Sequence, residues 1–270
     1  IAAIQSCRAF DMYGYHEEAG KYLDSICTLV RPDGELKTAF GLSDSGTLLM
    51  ALEDHYRYTR DTAWLVRASD TIARIAQWSI ARRTKEKQGQ TPGAPNYGMI
   101  KYQPSGDYPE PDYSFLSDTT LCAGLEAGAR SLRIAQREAD ARRVAAEAAA
   151  YRGDIEAAMR RSVFDYEGQR LLPILPATRA WLVRANYGTT GYYSLFAGLI
   201  LDNEFLPVND PHAALLVGAL ENRGGLCAGT CTFFDYIDHG FTYGYWLEML
   251  KRHEPRKAIL GLYGSMAYGM

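Results

Sequence analysis

Leu42-Ser43-Asp44-Ser45-Gly46-Thr47-Leu48-Leu49, followed by Tyr56-Arg57-Tyr58-Thr59-Arg60-Asp61-Thr62-Ala63-Trp64-Leu65, is the stretch that decides the fold. The first run is a polar, small-residue entry into an apolar helix. Its inner face is Leu48, Leu49, Leu52 and Tyr56, and Asp44 or Ser43 is the expected cap. The second run is a hairpin turn at Thr59-Arg60-Asp61-Thr62. A return helix over about 62–84 then places Trp64, Ala68, Ile72, Ile75 and Ser79 on one face. The same phrase returns at Ser117-Asp118-Thr119-Thr120-Leu121, at Gly188-Thr189-Thr190-Gly191-Tyr192-Tyr193 and at Gly240-Phe241-Thr242-Tyr243-Gly244-Tyr245-Trp246. The entries at 43, 117, 188 and 240 are 74, 71 and 52 residues apart. Helical pairs in series, each unable to bury its apolar face alone, predict a repeat architecture closed around a shared core.

Working outward, residues 3–30 read as a helix stopped by Pro32-Asp33-Gly34. Residues 88–116 form the longest irregular stretch, with five prolines and the tyrosines Tyr97, Tyr102, Tyr108 and Tyr113. A loop of this length within a compact domain is commonly functional, and its aromatic content argues against disorder. The second pair runs through Leu121, Leu125, Gly128 and Leu132 and returns over 138–163 with a small-residue inner face. Asp118 is its expected cap. After a turn at Asp165-Tyr166-Glu167-Gly168, Leu171–Leu175 reads as a short strand, held to an edge by Pro173. The third pair follows Leu195, Phe196, Leu199 and Ile200 and returns over 211–222. Residues 224–240 read as a β-hairpin or tight loop, and the fourth pair spans 242–252 and 254–270. Four pairs and an opening helix make at least nine helices, an all-α chain with short β segments in its loops. The whole of 1–270 reads as one domain. It opens at Ile1 and stops at Met270, each inside a helical pattern, and so reads as truncated at both ends.

The 270 residues are 47% apolar and 23% charged, a globular balance. The net charge of -3 offers no attraction to nucleic acid or to an anionic membrane surface. No apolar run approaches the roughly 20 residues of a membrane helix. Of five cysteines, Cys7, Cys27 and Cys122 read as small buried hydrophobes, while Cys227 and Cys231 flank a Gly-rich loop where they can pair in an oxidising compartment. Two cysteines at that spacing lack a second ligand pair for zinc. Phosphate-binding glycine motifs and a GxSxG elbow are absent from the sequence.

The chemical signal is the crowding of acids and aromatics into the loops between pairs. Sugars stack C–H faces on aromatic rings and bond their hydroxyls to carboxylates. Glycoside cleavage needs one carboxyl to protonate the leaving oxygen and another to activate water or attack the anomeric carbon. Ser105-Gly106-Asp107-Tyr108-Pro109-Glu110-Pro111-Asp112-Tyr113-Ser114 offers three acids and two tyrosines. Phe233-Phe234-Asp235-Tyr236-Ile237-Asp238-His239-Gly240 offers two acids and a histidine. Each candidate also has an ordinary role. Asp44 and Asp118 precede helices as caps, Asp107 suits an Asx-turn, and Tyr192, Tyr193, Tyr245 and Trp246 suit a core. His16, His55, His212 and His253 lie on or beside helices without metal-ligand pairing.

With these segments laid out, the chain resembles the six-hairpin glycosidases, the (α/α)6-toroid superfamily. Leu42-Ser43-Asp44-Ser45-Gly46 and the Tyr-x-x-Thr-x-Asp turn at 56–61 carry the resemblance. It implies an incomplete (α/α)6 barrel, a site in a central cleft and a glycoside hydrolase that uses paired carboxylates. It implies Asp112 or Glu110 as general acid and Asp238 as base or subsite contact. The sugar-binding set is Asp44, Asp118, Tyr97, Tyr113, Tyr236, His239 and Trp246. It implies an oligo- or polysaccharide substrate, no cofactor and no metal, and a periplasmic or secreted setting ahead of a cytoplasmic one. Such toroids also host polysaccharide lyases, for which Asn96-Tyr97, Asn186-Tyr187 and His239 with Tyr243 offer the base and the carboxylate-neutralising groups. The non-enzymatic alternative is a helical scaffold that binds a glycan without turnover.

Overall fold

The structure, a computed structural model, describes residues 2–106, 110–176, 192–233, 236–237 and 240–268, with the backbone alone at Tyr236. Among these the chain is mostly helical, with ten helices and five strands of two to four residues. No helix among the described residues is long and apolar enough to cross a membrane. The chain divides into two compact units, Ile1–Glu156 and Ala157–Met270.

The first unit contains α1 (Ala2–Met12), α2 (His16–Cys27), α3 (Gly41–Thr59), α4 (Thr62–Gln88), α5 (Phe115–Ile134) and most of α6 (Glu138–Ser162). The opening helix expected over 3–30 is two helices. The chain breaks at Tyr13-Gly14-Tyr15, where Gly14 adopts φ +86, a conformation glycine takes without strain. The hairpin turn forms as read. Arg60 is left-handed, and Asp61 caps α4 by accepting from the Trp64 N–H at 2.9 Å.

α3 lies against α1 and α5, and α4 against α2. α3 and α5 are buried nearly all round, as befits central helices. They run parallel. Gly46 meets Thr120 and Gly124, Leu49 meets Gly128, and the Glu53 carboxylate takes both Nε and Nη2 of Arg130. A methyl at Gly46 or Gly124 would overlap the facing backbone, so the glycines set how closely these helices approach. α6 turns Ala141, Val144, Ala148, Tyr151 and Ile155 inward. The parallel course of α3 and α5 brings Ser43-Asp44 and Ser117-Asp118 to the same end of the pair.

Neither acid is an N-cap. Phe40 is the N-cap of α3, and Asp44, one turn in, reaches back to accept from the Phe40 N–H at 3.3 Å and from the Thr38 hydroxyl. Ser114 is the N-cap of α5, while Asp118 points into the interior. The polar entry spans a full turn in each case, so the helix begins earlier than the acid.

In the second unit a two-residue turn at Glu167-Gly168, both with positive φ, joins β1 (Phe164–Tyr166) to β2 (Gln169–Leu171). The strand expected over 171–175 thus ends at Leu171, ahead of Pro173, which has no N–H for a ladder. α7 (Tyr192–Asp202) and α8 (Pro211–Asn222) follow. Next come the antiparallel strands β3 (Leu226–Cys227), β4 (Thr230–Phe233) and β5 (Tyr236–Ile237), then α9 (Tyr243–Lys251) and α10 (Pro255–Tyr268). The backbones of α7 and α9 touch at Gly198 and Gly244. Cys227 and Cys231 do not pair. Cys231 registers opposite Leu226 and Cys227 opposite Thr230, so successive side chains send the two thiols to opposite faces. One is buried and one exposed, and all five cysteines are free.

Candidate functional site

In the first unit, the segment linking α4 to α5 runs over the end where α3 and α5 begin. Its one described ladder element is an antiparallel bridge. Tyr102 and Asp112 exchange both backbone hydrogen bonds, at 3.2 and 3.0 Å. Tyr102 seats this bridge over α3. Gly41, with φ +46, leaves room for the Tyr102 ring where a Cβ would collide. The ring packs edge-on against Trp78, and its hydroxyl donates to Glu35 at 2.8 Å. Burial, with the Glu35 carboxylate second, pushes the Tyr102 phenol up to about 12.

Asp112 is half-buried, and its Oδ1 accepts from the Tyr113 N–H at 2.7 Å. Tyr113 is half-buried beside it, and Glu110 is exposed. Tyr97, earlier in the same segment, lies under the Lys87 ammonium, 4.9 Å from the ring centroid, and Lys87 in turn donates to Asp154 at 2.6 Å. The structure therefore gathers Tyr97, Tyr102, Glu110, Asp112 and Tyr113 on one connecting segment.

Beneath it lies a buried polar layer. Ser43 begins α3, Ser114 and Ser117 begin α5, and Ser105 precedes Gly106, which packs on Ala39. Their hydroxyl oxygens are buried without a partner among the described residues, as is Oδ2 of Asp118. Asp118 Oδ1 accepts from the Ile100 N–H at 2.8 Å and from the Tyr151 hydroxyl. Burial lifts its carboxyl to about 7, against the opposing pull of those two bonds and of Arg83. Asp118 is fully enclosed, so it anchors the segment above it and does not present a surface to a sugar. Asp44, similarly buried, is committed to Thr38 and Phe40.

Arg83 and Tyr151 escaped the sequence reading. Arg83 is 4% exposed, donates to Glu147, to Asp154 and to the Gly98 carbonyl, and stacks 4.6 Å from the centroid of the Tyr151 ring. The signal was present. Arg83 continues the inner stripe of α4 one turn past Ser79, and a cation on an apolar stripe needs buried partners. Asp11 also escaped it. It is buried between the Nδ1 atoms of His16 and His55, at 2.9 and 3.0 Å, so both histidines are structural.

In the second unit, Trp246 is half-buried and donates its indole N–H to the Gly229 carbonyl at 2.8 Å, tying α9 to the turn between β3 and β4. Asp238 and His239 lie outside the described residues, as do Asp107, Tyr108 and the 177–191 segment with Asn186-Tyr187. Only the backbone of Tyr236 is described, in β5. Among the described residues no group of three or more His, Cys, Asp or Glu is placed to hold a metal ion.

No protein-family model matches the chain, and no curated protein matches its sequence.

Proposed function

We propose that this chain is a glycoside hydrolase of oligo- or polysaccharides built on helical hairpins of the (α/α)-toroid kind. The observation that carries the reading is the placement of Asp112 and Tyr113. They sit on a segment pinned across the common end of two parallel, glycine-packed central helices. That arrangement suits an arc in which successive hairpins contribute one inner helix each and gather their connecting segments at one end. Asp112 beside Tyr113, with Tyr97 earlier on the same segment, combines a half-buried carboxyl with aromatic faces, the pairing that sugar recognition and acid–base cleavage require. In this reading Asp112 or Glu110 is the general acid and Asp238 the base or a subsite contact.

The test is product analysis. The protein is incubated with neutral oligosaccharides and polyuronates, and the products are read by mass spectrometry. Cleavage with the gain of one water supports the hydrolase. Cleavage that leaves unsaturated ends replaces it with a lyase and moves attention to Tyr97, Tyr243 and His239. Binding without turnover across the panel leaves a glycan-binding scaffold.

A further inference from the structure

Among the described residues, the segment that carries Asp112 is held by side-chain hydrogen bonds to its backbone and by the single Tyr102–Asp112 bridge. The Gly98 N–H donates to Gln90 Oε1 at 2.7 Å, and the Gly98 carbonyl accepts from Arg83 Nε at 2.8 Å. The Met99 carbonyl accepts from Gln90 Nε2 at 2.8 Å. The Ile100 N–H donates to Asp118 Oδ1. Met99 and Ile100 are fully buried, and two residues further on Tyr102 bonds Asp112 in both directions. Arg82 Nη2 donates to the Lys101 carbonyl at 3.2 Å, so of these anchors Asp118 is the one buried carboxyl.

It is an unusual anchor. It is fully buried, and one carboxyl oxygen is unpaired among the described residues. The groups around it offset its charge only in part: the Tyr151 hydroxyl, the Ile100 and Ser114 backbones and the Arg83 guanidinium favour the ionised form, and burial outweighs them. Tyr151 of α6 donates a neutral hydroxyl. Arg83 of α4 is already committed to Glu147 and Asp154. Cys122, on its own helix, is a buried thiol that burial pushes up. On α3, Asp44 is engaged with Thr38 and Phe40. A carboxylate enclosed without a cation of its own costs more than a neutral carboxyl in the same place. Opening the segment to water reverses that preference.

We propose that Asp118 is a positioning residue that acts as a proton-dependent latch: neutral, it locks segment 98–102 and with it Asp112; ionised, it lets the segment open. Consistent with this, burial lifts its carboxyl from 3.8 to about 7 in the closed state. The closed form therefore binds its proton more tightly than the open form. The lock is full below about pH 4, weakens as pH rises toward 7, and is constant above. The functional consequence rests on the hydrolase reading of the Asp112 segment; the latch itself does not.

The experiment is amide hydrogen exchange on the full chain by NMR, which needs no substrate. Failure of the latch leaves the hydrolase standing, and absence of turnover leaves the latch standing. Protection of Ile100, corrected for intrinsic rate and compared with Ile72 in α4, is expected to fall by up to about tenfold per pH unit between pH 4 and 7. Asp118→Asn removes that fall. Tyr151→Phe deletes a bond that favours the ionised form, and so carries the fall to higher pH. A wild-type Ile100 profile that tracks Ile72 overturns the proposal. So does the same fall in Asp118→Asn or, should that variant not fold, an unmoved fall in Tyr151→Phe.

Discussion

Asp112 and Asp118 sit six positions apart in the chain and do different physical work. Asp112 is half-buried on the connecting segment; Asp118 is enclosed below it. Asp112→Asn is expected to lower hydrolysis at least about 100-fold. Its urea midpoint should stay close to wild type, since the substituted amide keeps the acceptor for Tyr113. Equal activity in the two proteins would move the acid elsewhere. Asp118→Asn acts on stability instead. Its folded-state carboxyl is raised to about 7, so its contribution is fully present below about pH 4 and is lost as pH climbs to 7. Denaturation of wild type and variant across that range should show a difference on the order of 4 kcal/mol accumulating with pH. A difference that stays constant with pH would mean that the carboxyl is hydrated. Both acids were picked out in the sequence, but as types in a pattern. Burial separated them, and burial depends on what α4 and α6 lay over the position. Arg83 and Tyr151, the residues that enclose Asp118, stand 35 and 33 positions from it in the chain.

At the scale of elements, sequence periodicity located the hairpins well because each is a local event. An apolar stripe, a left-handed Arg60 and the Asp61 cap are all specified within a few residues. Asp61→Ala should cost about 1 kcal/mol in chemical denaturation, the usual value of such a cap; an unchanged midpoint would assign the turn to Arg60 and Thr59 alone. The meeting of α3 with α5 was not legible in the same way. Gly46 and Gly124 read as weak points in two helices, whereas together they are the contact. Gly46→Ala should destabilise by about 1–3 kcal/mol through overpacking against the Thr120 backbone, despite alanine's better helix propensity. A stabilised variant would show that the helices have room to separate. The opening helix and the strand over 171–175 were misplaced for a related reason. Tyr13-Gly14-Tyr15 has no proline to mark the break, and the partner strand that ends β2 lies upstream of the turn.

At the scale of the molecule, free thiols give a direct check. All five cysteines should react with a thiol reagent after denaturation without reductant, and the exposed Cys227 should react first in the folded protein. Recovery of three thiols would restore the Cys227–Cys231 pair. The sequence by itself determined the helical class, the serial hairpins and the segment in which acids and aromatics crowd, because each is written in local spacing and composition. The tertiary structure alone decided that α3 and α5 run side by side, that their polar entries form one buried layer, and that one acid stays half-buried while the other is shut in with Tyr151 and Arg83. Those outcomes depend on which distant backbone a glycine admits and which distant side chain excludes water from a carboxyl, and neither is encoded in the spacing of neighbours.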